Sequence, residues 1–195
     1  MKIGRPKEFD ENIVLNSAME YFWDNGYDNS TLPGLLKAMD IKKSSFYQTF
    51  KSKQQLFERC MQKYIELNEL DIQDKLKTKS SKSILRDIMN KSIDDIRKHG
   101  EIRGCLIMNA GAECYKKYPD LSELIQKHFD FFHKTFKTLI KKAQEEGDIS
   151  KNKSADMLSS NYINTLNGLY VSIRAGASEE MIKHIQNNFE ELLMV

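Results

Sequence analysis

A chain of 195 residues, 40% hydrophobic and 30% charged with only 3 prolines and 9 glycines, has material for a sizeable core and few breakers, which excludes extended disorder and favours long helices. With 30 basic against 28 acidic residues the net charge is +2, too balanced for the total to name a nucleic-acid partner. Three cysteines, Cys60, Cys105 and Cys114, lack zinc-like spacing and leave an odd thiol, which excludes a secreted disulfide framework and points to the reducing cytoplasm.

No apolar run follows the charged start Met1-Lys2-Ile3-Gly4-Arg5, and no stretch approaches the roughly 20 apolar residues needed to cross a bilayer, so neither export nor membrane insertion is expected. Ile13, Val14, Ala18, Tyr21 and Phe22 recur at helical spacing between Asp10, a natural N-cap, and Gly26, a natural stop. Thr31-Leu32-Pro33 then places a hydroxyl cap before a first-turn proline, predicting a short helix to about Met39 that Asp40-Ile41-Lys42 breaks. A second short helix is expected from about Ser44 to Phe50, and Ser52 suits the cap of a longer one carrying Leu56, Phe57, Met61, Tyr64 and Ile65.

The Lys/Ser-rich stretch from Leu76 to Ser83 reads as an internal connection. Ile84, Leu85, Ile88, Met89 and Ile93 mark a fifth helix ending near His99-Gly100, and a sixth runs from near Gly104 to before Pro119. Asp120-Leu121-Ser122-Glu123 has the form of a capping box opening a seventh helix that stops at Gly147. Two more are expected at about 153–175 and 179–193, giving about nine helices and an all-α chain with no strand pair.

Two short helices across a tight turn, the second rich in basic and hydroxyl residues, meet the needs of a helix-turn-helix, in which one helix braces and the other enters the major groove. Residues 37–53 hold Lys37, Lys42, Lys43, Lys51 and Lys53 against Asp40 alone, a local charge of 5 − 1 = +4. Lys2, Arg5 and Lys7 form a further basic arm beside the first helix. A lysine run by itself is commonly only a solvated face.

The run Thr31-Leu32-Pro33-Gly34-Leu35-Leu36-Lys37-Ala38-Met39-Asp40-Ile41-Lys42-Lys43-Ser44-Ser45-Phe46-Tyr47-Gln48-Thr49-Phe50-Lys51-Ser52-Lys53, followed by Leu56, resembles the signature of TetR-family regulators, and Asn25-Gly26-Tyr27 resembles the family's first-helix ending. Leu36, Met39 and Asp40 depart from it, standing where the family usually has a small residue, Ala and Gly; Asp tolerates turn geometry better than most non-glycine residues. The resemblance implies a three-helix DNA-binding domain over 1–53, a connecting helix over about 53–76, and a larger ligand-sensing and dimerisation bundle over 77–195. It implies that Lys43, Ser44, Ser45, Gln48 and Thr49 face the groove, that Thr31, Tyr47 and Lys53 hold phosphates, and that Phe46 and Phe50 are core; Lys42 joins the DNA-binding set. Gln suits bidentate pairing with adenine, and hydroxyls adapt to several bases.

Farther along, Met157, Leu158, Asn161, Tyr162, Thr165, Leu166, Leu169, Tyr170 and Ile173 form a stripe too broad for an ordinary surface helix. With Gly168 and the apolar final helix it fits a homodimer through the eighth and ninth helices. Met89, Met108, Tyr115, Phe129, Phe132 and Phe136 are candidate ligand-sensing residues, although such stripes are more often plain core. Arg103-Gly104-Cys105-Leu106, with Asn109 and Glu113 beyond, resembles a TetR branch containing electrophile- or oxidant-responsive repressors, and a thiol at a helix start beside an arginine should be nucleophilic.

The histidines His99, His128, His133 and His184 form no ligand pair on one helical face, so neither an enzyme nor a metal site is expected, nor any cofactor. The resulting expectation is a sequence-specific transcriptional regulator, most simply a repressor that releases palindromic double-stranded operator DNA on meeting a small-molecule or electrophile effector. The rival is a helical protein-interaction module without sequence-specific DNA binding.

Overall fold

The computed structural model describes residues 9–99 and 104–194, with the side chains of 92–99, 190 and 192–194 outside the description. The basic arm Lys2, Arg5 and Lys7, together with Arg103, lies outside the described residues, as do the side chains of Ile93, His99, Leu192 and Leu193. The described residues form nine helices: α1 Glu11–Asn29, α2 Leu32–Met39, α3 Lys43–Phe50, α4 Lys53–Lys75, α5 Ser81–His99, α6 Leu106–Cys114, α7 Pro119–Glu145, α8 Ala155–Arg174 and α9 Glu179–Met194. This is the all-α architecture expected from the spacing of apolar residues.

The N-terminal boundaries follow from side chains that accept the orphan N–H groups of each first turn. Asp10 accepts from Asn12 and Ile13 at 2.8 and 3.4 Å, Ser154 from Met157 at 3.2 Å, and Ser178 from Met181 at 3.2 Å. The start of α7 differs from expectation. Pro119 is already helical, and Ser122 N–H donates to the Tyr118 carbonyl at 2.8 Å, so Asp120 sits inside the first turn rather than capping it. Proline at the first helical position loses no hydrogen bond and arrives with its φ preset, which moves the helix start ahead of the capping-box sequence. The sixth helix ends earlier than expected, at Cys114, and a turn with Lys116 at φ 63° follows.

Two compact units emerge, each drawn from two stretches of the chain. One comprises residues through Leu67 together with Asn109–Leu124; the other comprises Asn68–Met108 and Ile125 onward. The first has an aromatic core: Phe22 meets Phe57 edge-on at 4.8 Å between centroids, and Tyr27 meets Phe57 and Tyr118, each at 5.0 Å. Cys60 is fully enclosed there, its Sγ donating to the Leu15 carbonyl at 3.8 Å, and burial pushes its thiol up to about 12. Such a thiol is a packing residue and no nucleophile.

The second unit closes over Ile84, Leu85, Met89, Phe136, Leu139, Ile140, Leu158, Tyr162, Leu166, Leu169, Ile173 and Phe189. His128 lies on the buried side of α7, 7% exposed, and its Nε2 has no hydrogen-bond partner among the described residues. Burial holds its pKa below the ordinary 6.5. Folding therefore favours the neutral ring, so stability is complete above pH 6.5 and falls as acid protonates the unfolded chain first. Urea unfolding at pH 7 and pH 5 should show this loss, and His128→Leu should flatten it while raising stability at pH 7 by about 1–3 kcal/mol through removal of an unsatisfied buried polar group. An unchanged pH slope in that variant would assign the loss to other groups.

Candidate nucleic-acid interface

The helix α2 begins with Thr31, whose Oγ1 accepts from Gly34 N–H at 3.3 Å, and packs on α1 so closely that a Cβ built at Gly34 would strike the Tyr21 hydroxyl. It ends on Asp40, at φ 51° and ψ 45° in the left-handed region, with Ile41 N–H reaching back to the Leu36 carbonyl at 3.2 Å and Asp40 N–H to the Lys37 carbonyl at 3.3 Å. That pattern is a Schellman ending in which aspartate does the work of the usual glycine. The departure at Asp40 thus leaves the turn intact.

From the turn the chain enters α3, with Phe46 and Phe50 on its inner side, each 1% exposed. Four-residue spacing puts both rings on one face. Lys42, Lys43, Ser44, Tyr47 and Gln48 are exposed, and Ser45 and Thr49 are half-buried at the flanks. All of the expected groove-facing residues therefore fall on the outer face or its edges. Phe50 O accepts from Ser52 N–H at 2.6 Å across Lys51, at φ 61° and ψ −42°, a tight three-residue turn that delivers the chain into α4. Ser52 caps that helix, its Oγ accepting from Gln55 N–H at 3.1 Å.

Lys53 opens α4 with its ammonium already engaged by the protein. Its Nζ donates to the Tyr27 carbonyl at 2.9 Å and stands 4.4 Å from the centroid of the Tyr27 ring. An ammonium has three donors, so two remain for an outside oxygen. Tyr27 itself is buried, and burial, followed by the neighbouring Tyr118, pushes its hydroxyl up to about 12.

Sequence reasoning missed the support behind Tyr27. Gly26, at φ 75° and ψ 172°, interrupts α1 rather than ending it, and one further turn follows. The N–H groups that start this turn both donate to Glu113: Tyr27 N–H to Oε2 at 2.8 Å and Asp28 N–H to Oε1 at 2.6 Å. Asp28 in turn accepts from the Lys117 ammonium and, at 2.5 Å, from the Tyr118 hydroxyl. The Lys117 hydrogen bond, seconded by that of Tyr118, holds the Asp28 carboxyl below the usual carboxylate range. The sequence marks Glu113 only through a resemblance, and nothing local in it connects residues 113–118 with residues 26–28.

Of the candidate sensing residues, Met89 is core and Phe132 is half-buried against the same cluster, its ring stacked on that of Phe136 at 6.2 Å. Met108, Phe129 and Cys105 are half-buried, Cys105 immediately before α6. Tyr115 does not join them: it is 66% exposed, under the Lys116 ammonium, because α6 stops one residue earlier and leaves it in the turn of the other unit.

Residues 14–60 match the model of the bacterial regulatory proteins of the tetR family, and residues 82–189 match that of the tetracyclin repressor-like C-terminal domain. The chain is 28% identical over 149 residues to the uncharacterized HTH-type transcriptional regulator YezE of Bacillus subtilis, covering 76% of this chain and 77% of that protein. It is 26% identical over 184 residues to the HTH-type transcriptional repressor ComR of Escherichia coli, covering 93% and 88%. A cysteine-substituted TetR-family regulator, CifR, solved with 26-bp double-strand operator DNA, shares the fold at a TM-score of 0.80 and 22% identity, covering 97% of this chain and 98% of that one. Because the C-terminal match alone spans more than half of the sequence, and the N-terminal match falls on the helices just described, the chain belongs to the TetR family of bacterial regulatory proteins.

Proposed function

We propose that the chain is a sequence-specific DNA-binding transcriptional repressor, working as a cytoplasmic homodimer that releases a palindromic operator when a small molecule binds, or an electrophile reacts with, its C-terminal unit. The observation that carries the reading is the outer face of α3, where Lys43, Ser44, Tyr47 and Gln48 stand exposed on a helix anchored from behind by Phe46 and Phe50. An eight-residue helix so anchored presents its polar side chains to a major groove, with Lys42, Ser45, Thr49 and Thr31 at the margins. ComR is by name a repressor, and CifR was solved on operator DNA.

Dimerisation is supported by the outer faces of the last two helices, where Met157, Val171 and Met181 are exposed and a Cβ at Gly168 would meet nothing within 4 Å. Two copies laying α8 and α9 together would cover these positions. Effector sensing is assigned to Met89, Met108, Phe129 and Phe132 for an apolar ligand, and to Cys105 for an electrophile. The odd number of cysteines, without zinc-like spacing, favours the reducing cytoplasm, and among the described residues no helix is long and apolar enough to cross a membrane. The reading is of a regulator rather than an enzyme.

The test is to sequence genomic fragments retained by the purified protein at moderate salt, with and without a thiol-reactive electrophile. An enriched palindrome with half-sites about one helical turn or more apart is expected. Gln48→Ala should lose about 1–3 kcal/mol of discrimination between that site and a scrambled duplex while keeping its affinity for the scramble. Retention without sequence preference would overturn the reading in favour of a helical interaction module.

A further inference from the structure

The Tyr27–Asp28 peptide is held at both ends by charged side chains. Its N–H donates to Glu113 Oε1 at 2.6 Å, and its carbonyl, on the opposite edge of the same plane, accepts from Lys53 Nζ at 2.9 Å. A peptide polarised by an anion at one end and a cation at the other strengthens both bonds. The peptide cannot rotate without breaking one of them.

The clamp is required by what Gly26 does. With ψ near 172° the helical ladder is interrupted, so the N–H groups of Tyr27 and Asp28 begin a new turn with no carbonyl behind them. Glu113 supplies both acceptors from 86 and 85 residues away. The flanking bonds of Asp28 with Lys117 and Tyr118 tie the same three residues to the same stretch of chain. That stretch, Asn109–Leu124, belongs to the compact unit that carries the helix-turn-helix, while α6 begins and α7 continues in the other unit.

We propose that Glu113 is a positioning residue for DNA binding, setting the Lys53 ammonium against an operator phosphate through the Tyr27–Asp28 peptide. Glu113 touches no DNA itself. With the carboxylate in place, the Tyr27 carbonyl fixes Lys53 at the start of α4, three residues beyond the end of α3 at Phe50, with two of its donors left for an outside oxygen. Withdrawing Glu113 frees the peptide to turn, and Lys53 loses the carbonyl that orients it. The inference rests on the reading of the chain as a DNA-binding regulator.

The test uses the full-length protein and variants Glu113→Ala, Glu113→Gln, Lys53→Ala and the Glu113→Ala/Lys53→Ala double. Their affinity is measured over a range of salt for the retained genomic duplex and for a scrambled duplex of equal length. Lys53→Ala and Glu113→Ala should each weaken binding about tenfold on both duplexes and lower the salt slope by about 0.9 for each phosphate that is no longer neutralised. The double variant should bind no more weakly than Lys53→Ala, because Glu113 has nothing left to position. Glu113→Gln, whose single carbonyl oxygen can satisfy only part of the pair of N–H donors, should fall between, and it serves if Glu113→Ala does not fold. Multiplying losses in the double variant, or an unchanged salt slope in Glu113→Ala or Glu113→Gln, would overturn the proposal and leave the carboxylate a purely structural cap. A wild-type protein that prefers no sequence would fail the operator reading alone, since the scrambled duplex still reports the salt slopes.

Discussion

Gly26→Ala is expected to destabilise the helix-turn-helix unit by about 3–5 kcal/mol, far beyond the usual effect of a glycine-to-alanine change. Two costs add. The backbone at φ 75° and ψ 172° lies in a region essentially reserved for glycine, where any other residue costs about 1–3 kcal/mol. The added Cβ would also lie 2.8 Å from Glu113 Oε2 and 3.3 Å from its Cδ and Oε1, so the carboxylate must shift and its bonds to the two N–H groups that it caps are weakened. Hydrogen bonds to a charged group contribute about 1.5–3 kcal/mol apiece.

Gly147 is the natural control. It too has a positive φ, 81°, but a Cβ there meets nothing within 4 Å, so Gly147→Ala should cost only the backbone strain of about 1–2 kcal/mol. Urea unfolding of both variants decides the matter. Equal losses would mean that the Glu113 cap contributes nothing to Gly26's requirement for glycine, whereas a larger loss at Gly26 assigns the difference to the displaced carboxylate.

Those parts of the molecule that depend on near neighbours could be read from the sequence. Asp10, Thr31 and Ser52 announce helix starts because a capping oxygen acts on N–H groups two or three residues away, and Asp40 announces a turn for an equally local reason. The outward-facing set on α3 is likewise legible, since Phe46 and Phe50 one turn apart define the inner face and leave Lys43, Ser44, Tyr47 and Gln48 outside. Even the misplaced start of α7 is a local contest, between a capping-box sequence and a proline at the first helical position.

Long-range partners were not legible. Gly26 reads as a stop because a glycine after a helix usually is one; that the chain resumes for another turn depends on a carboxylate 86 residues away. Lys53 reads as a free cation because its partner is a backbone carbonyl, which leaves no trace in composition or spacing. Tyr115 reads as a sensing residue if α6 runs on to Pro119, and a helix ending at Cys114 turns it outward. The broad stripe of α8 divides similarly: Leu158, Tyr162, Leu166, Leu169 and Ile173 face the core, and Met157 does not.

Tyr162 should give the largest single loss in the second unit. Its ring is completely buried, 4.6 Å from that of Phe136 on α7 and 5.0 Å from that of Phe189 on α9, and its hydroxyl donates to the Leu85 carbonyl on α5 at 2.9 Å. One side chain on α8 thus touches three other helices. Tyr162→Ala removes the ring from the middle of this cluster and should cost about 3–5 kcal/mol, the range for deleting a buried aromatic and leaving a cavity. Tyr162→Phe keeps the ring and loses only the hydroxyl, and because the Leu85 carbonyl is also within the hydrogen-bonding ladder of α5, its loss should stay near 1 kcal/mol. The pair of variants separates packing from hydrogen bonding: if Phe were as damaging as Ala, the bond to α5 and not the aromatic packing would hold α8 in register. Burial raises the Tyr162 hydroxyl well above its ordinary pKa of 10, so the folded chain keeps this proton while the unfolded chain releases it above pH 10. Stability should therefore fall as pH rises past 10, and the fall should be shallower in Tyr162→Phe than in the parent chain.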